Sequence, residues 1–82
     1  MTLTELRYAV ALAREKHFGR AAAACFVSQP TLSVARNKLD EEVGVTLFER
    51  SMQDFTVTQT GEDVVAPAQV VLSHVSDIKE TV

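Results

Sequence analysis

The sequence predicts a mainly α domain that carries a small β-hairpin and ends in a long helix. Three observations lead there: helical spacing with start and stop signals in the first half, two short β-branched runs after Gly44, and a heptad-like apolar rhythm over the last third. Eighty-two residues, 46% of them hydrophobic, are enough for one small core. We therefore expect one domain with one appended helix.

Thr2 followed by Glu5 forms a capping box, and Leu6, Ala9, Val10 and Ala13 keep helical spacing, so a first helix is expected over about residues 3–16. His17, Phe18 and Gly19 should break it. The run RAAAAC then offers a short helix whose small side chains let another backbone come close. Phe26 and Val27 make a tight apolar connection to Ser28, an N-cap residue, with Pro30 in the first turn where its missing N–H costs little. On a wheel of 100° per residue, Leu39 and Val43 fall within about 20° of Leu32, whereas Pro30, Ser33 and Asn37 lie roughly 100–160° away. One face of this third helix is core and the other is presented, and Gly44 ends it.

Val45–Phe48 and Phe55–Thr58 are the expected strands of a hairpin that carries Arg50 near its tip. Thr58 is placed to cap the last helix. Its apolar positions Val64, Ala68, Val71, Val75, Ile78 and Val82 are spaced 4, 3, 4, 3 and 4, a seam that wants a partner. A helix of about 24 residues is roughly 36 Å long, more than so small a domain covers along its full length, which favours a partner chain over packing back on itself. Pro67 inside it should remove a hydrogen bond and bend it.

Composition narrows the class. The net charge is −3, yet residues 1–38 hold six bases and two acids while residues 39–82 hold two bases and nine acids. Partners are therefore sought on the basic first half. The apolar runs are far shorter than the roughly 20 residues of a spanning helix, and the N-terminus lacks a secretory pattern, so a soluble cytoplasmic chain is expected. Cys25, the single cysteine, has no partner for an internal disulfide and reads as a small core residue. His17 and His74 stand apart from any metal-ligand or acid–base spacing, and no nucleophile–base pair or phosphate-cradling loop is present, so neither an enzyme, a metal nor a cofactor is expected. The acids Asp40, Glu41 and Glu42 read as a solvated helix face.

Helix, short alanine-rich helix, tight turn, capped helix, hairpin is the order of a winged helix-turn-helix. In that arrangement the second helix of the pair enters the major groove of double-stranded DNA, where short polar side chains reach base edges. Gln29, Thr31 and Ser33 stand in its first turns, and the helix N-terminus adds N–H donors for a phosphate.

The stretch AAAACFVSQPTLSVARNKLDEEVGVTLFER followed by VTQTGE resembles the N-terminal domain of LysR-type transcription regulators, and the resemblance runs over essentially the whole chain. TLTELRYAVALAREKHFGRAA and SQPTLSVA are most similar to peroxide-sensing members of that family. The resemblance implies a winged helix-turn-helix over residues 1–58, with the helix-turn-helix at about 18–37 and the wing at about 45–58. It implies a linker helix over 59–82 through which members dimerise, with tetramers expected of the full-length protein. It also implies an effector-binding domain outside this chain, which leaves the present domain without a small-molecule ligand. Ser28, Gln29, Pro30, Thr31 and Ser33 match the start of the recognition helix, Lys38 a phosphate contact, and Arg50 the wing residue that reaches the neighbouring minor groove. Three residues depart from the pattern. Arg36 stands where the family usually has isoleucine, about 40° from Leu32, and must snorkel to the rim. Asn37 replaces a usual base but offers an amide that could pair with an adenine edge. Pro67 is unusual for the linker helix. The competing expectation, favoured by the acidic balance and Asn37, is a winged helix used as a protein-interaction module without specific DNA binding.

Overall fold

The structure is a computed structural model that describes the backbone of residues 1–51 and 54–81, with side chains described for 1–49 and 56–80. The order is α1 (Leu3–Glu15), α2 (Phe18–Ala24), α3 (Gln29–Val43), β1 (Phe48–Ser51), β2 (Asp54–Val57) and α4 (Gln59–Thr81).

Local caps set most of the helix ends. The Thr2 hydroxyl accepts from the Glu5 N–H and the Glu5 carboxylate accepts from the Thr2 N–H, each at 3.0 Å, which completes the capping box. Lys16, at φ 54°, closes α1 in the left-handed region. The break after α1 is shorter than the sequence suggests, because His17 Nδ1 accepts the Arg20 N–H at 3.1 Å and caps α2, so Phe18 and Gly19 are already helical. An imidazole acceptor does here what serine or aspartate usually does. Ser28 caps α3, and Gly44, at φ 84°, ends it with its N–H on the Asp40 carbonyl.

The α2–α3 turn differs from expectation in one residue. Val27 packs partly against the core, but Phe26 sits at φ 59° and is 95% exposed. Its turn is held by the Val27 N–H on the Ala22 carbonyl at 3.0 Å.

The hairpin is antiparallel and pairs Phe48 with Val57, Glu49 with Thr56, Arg50 with Phe55 and Ser51 with Asp54. The first strand therefore starts three residues later than the apolar run Val45–Phe48. Leu47 and Phe48 are adjacent yet both fully buried, which a strand alternating between two faces cannot provide. The backbone before Phe48 is already committed elsewhere: the Leu47 N–H donates to Asp40, and the Thr46 and Leu47 carbonyls accept from the Thr58 hydroxyl. Arg50 lies within β1, one pair before the Ser51–Asp54 pair next to the turn, and its side chain falls outside the described residues.

The core joins Leu12, Ala21, Ala22, Leu32, Leu39, Leu47, Phe48 and Val65, with the two α2 alanines at 0% and 3% exposure, as close helix packing requires. Helix α4 runs unbroken through Pro67. Val65 and Ala68 are buried within the chain's own domain, and Val64 is partly so, whereas Val71 and Ile78 are exposed and Val75 is half-buried. The expected seam is therefore split, its first half used internally by packing on α1. Val82 lies outside the described residues.

Candidate nucleic-acid interface

Two buried leucines orient α3. Leu32 and Leu39, at 0% and 1% exposure, hold one face in the core, and the opposite face is therefore presented. Ser28, Gln29, Pro30, Thr31, Asn37 and Lys38 are all exposed on it or at its edges, while Ser33 is half-buried at one flank. The Ser28 hydroxyl accepts the Thr31 N–H at 3.3 Å and lies 2.9 Å from the Thr31 hydroxyl, so the first turn is tied before any ligand arrives. A Cβ built on Gly19 would lie 3.4 Å from Gln29 Nε2 and 3.0 Å from His17 Cε1, which places the starts of α2 and α3 side by side.

Sequence reasoning missed Val34. It is 54% exposed in the middle of the presented face, between the turns that carry Pro30 and Asn37. An apolar group there matches the thymine methyl, the one apolar feature of the major-groove edge. The signal was available on the wheel, where Val34 falls roughly 160° from Leu32.

Arg36 and Asp40 also depart from expectation. Arg36 Nη2 donates to the Phe48 carbonyl at 3.0 Å and its Nε lies 3.5 Å from Asp40 Oδ2, while Asp40 Oδ1 accepts the Leu47 N–H at 3.2 Å. Arg36 therefore does not simply reach for solvent, and Asp40 is not on a solvated face; the pair ties α3 to the start of the wing. Glu41 is exposed as expected, and Glu42 pairs with the Met1 ammonium, whose pKa is raised by hydrogen bonding to that carboxylate. Asp40→Ala removes the acceptor of a part-buried N–H and the counter-charge of Arg36, so a loss of about 2 kcal/mol is expected in chemical denaturation. Asp40→Asn, whose amide oxygen can still accept from Leu47, should recover part of it.

Cys25 ends α2 half-buried, and burial pushes its thiol pKa up against the opposing charge of Arg14. A protonated thiol is a poor nucleophile. Alkylation at neutral pH should run slower than for a free cysteine; a rate equal to the free thiol would contradict the core role. Among the described residues no group of three or more His, Cys, Asp or Glu could hold a metal, and no helix is long and apolar enough to cross a membrane.

The profile described as "Bacterial regulatory helix-turn-helix protein, lysR family" matches residues 3–62. The chain is 48% identical over 80 residues to the DNA-binding transcriptional dual regulator OxyR of Escherichia coli K12, covering 98% of this chain and 26% of that protein. It thus spans about a quarter of the length of such curated relatives. Its fold superposes on a full-length OxyR variant from Pseudomonas aeruginosa with a TM-score of 0.92 at 58% identity, covering 99% of this chain and 28% of that one. It likewise matches the BenM DBD in its complex with catB site 1 DNA, with a TM-score of 0.93 at 34% identity over 99% of this chain and 91% of that one. A capped helix anchored by Leu32 and Leu39 and a hairpin beside it lie within the span matched by that profile, which ends in the first turn of α4, and the chain belongs to the LysR family of bacterial regulatory helix-turn-helix proteins.

Proposed function

We propose that this domain binds specific double-stranded DNA for a cytoplasmic, OxyR-like transcription regulator that answers to peroxide. Two copies, paired through α4, place their α3 helices in successive major grooves of an interrupted dyad, and the full-length protein assembles further into a tetramer. The observation that carries this reading is the presented face of α3: polar residues in its first turns, a ready-made cap at Ser28 and a core-anchored opposite face. Likeness to a relative described as a DNA-binding transcriptional regulator and to a domain in a DNA complex supports it. The peroxide response and the full-length assembly rest on the OxyR likeness alone. The chain is a regulatory module rather than an enzyme on the same family grounds.

In this reading Gln29, Ser33, Asn37 and Val34 face bases, and Ser28, Thr31 and Lys38 face the backbone. Pro30 fixes the first turn between them. Arg50 extends the contact from the wing to the flanking minor groove. Val71, Val75 and Ile78 form the pairing surface of α4, with Val64 and Ala68 set against its own domain.

The test is selection from randomised duplexes at physiological salt, followed by sequencing of the bound fraction. An enriched interrupted dyad is expected. On that site Gln29→Ala should weaken binding by about 1–3 kcal/mol without altering thermal stability. Unchanged affinity would remove Gln29 from the base contacts. A fall of log affinity with log salt marks counterion release from DNA, whereas a protein-interaction module shows no such slope.

A further inference from the structure

We propose that Arg36 is a positioning residue for the wing, fixing the angle at which the hairpin meets DNA relative to α3. The inference rests on the DNA-binding reading above. Arg36 and Asp40 stand one turn apart on α3, and together they hold two peptide groups of the wing's first residues that flank the 47–48 peptide, the Leu47 N–H before it and the Phe48 carbonyl after it. Bonds to peptide units on either side of residues 47 and 48 fix both the place and the rotation of the chain between them. The guanidinium and carboxylate are only 22% and 18% exposed, and the Arg36 Nε is buried, so solvent and salt screen the pair weakly. Phe48 opens β1, and Arg50 follows two residues later on the same strand, roughly 7 Å along it.

The chemistry requires arginine. Its planar fork can donate to a carbonyl while facing a carboxylate, whereas lysine offers a point charge and methionine only the stem. A change at Arg36 should therefore leave α3 in the groove but release the wing from its set angle. The wing's contribution to binding, carried by Arg50, should fall with it.

The experiment is a double-mutant cycle on the selected duplex, with affinities measured at one salt concentration. Arg50→Ala is expected to weaken binding about tenfold in the wild-type background and less than twofold in an Arg36→Met background. Discrimination among duplexes that differ only in the flanking base pairs should drop in Arg36→Met, while discrimination at the base pairs under α3 stays. Arg36→Lys, which keeps the charge, serves if the methionine variant does not fold, and the same loss of coupling is expected of it. An Arg50→Ala effect of equal size in both backgrounds overturns the proposal, as does no effect of Arg50→Ala in wild type. Failure of the wild-type domain to enrich any duplex would instead sink the DNA-binding reading itself.

Discussion

Gly61→Ala is expected to lower stability by about 3 kcal/mol. A Cβ at Gly61 would lie 2.1 Å from the Leu47 carbonyl oxygen and 2.8 Å from Val57 Cγ1. The first of these neighbours is backbone, and it cannot swing aside as a long side chain could. That carbonyl also accepts from the Thr58 N–H at 3.0 Å, and the Thr58 hydroxyl accepts the Gly61 N–H at 2.9 Å. Pushing α4 outward therefore weakens its own cap, which adds about 1 kcal/mol to the cost. Alanine's better helix propensity returns only about 1 kcal/mol. For a domain of this size, the net loss corresponds to a drop in Tm of roughly 15 °C. A thermal melt within a few degrees of wild type would show that the junction yields easily.

Leu32→Ala should cost about 3 kcal/mol by leaving a cavity where α3 meets the core, since Leu32 is wholly buried beside Leu12, Leu39 and Phe48. Its helix propensity penalty is close to nil, so the loss measures packing alone. Two residues on, Val34 is 54% exposed, and Val34→Ala should change stability by less than about 0.5 kcal/mol. The contrast gives a clean partition of α3 by denaturant unfolding. Equal losses at the two positions would mean that α3 is rotated from the orientation described, and the presented face with it.

Features decided within one turn of chain were legible in the sequence. Thr2 with Glu5, Ser28, Gly44 and Thr58 each satisfy or end a helix through neighbours three or four residues away, so their chemistry predicts their place. Even there, the chemistry of His17 left a capping and a solvated role open, because histidine acts as a cap only when its unprotonated nitrogen happens to face the N–H. What depends on distant chain was not legible. The start of β1 is set by Asp40 and Thr58 capturing the backbone of residues 46 and 47, and the apolar run gave no hint of it. Arg36 was placed correctly near the core face, but its acceptor lies 12 residues away on Phe48. The heptad of α4 is ambiguous in itself: the same apolar spacing serves a neighbour in the domain at Ala68 and open surface at Ile78.

That division of α4 has a kinetic meaning. Its first turns are pinned by Thr58, Val65 and Ala68, while Val70, Val71 and Ile78 leave the later turns with little apolar cover. Local opening costs least where buried contacts are few, so amide hydrogens should exchange slowly up to about Leu72 and progressively faster beyond it. Pairing of two chains would slow exchange in that distal stretch alone, in proportion to protein concentration. Isotope exchange along this one helix would then read out how far the far end has been occupied, while the near end serves as the internal reference.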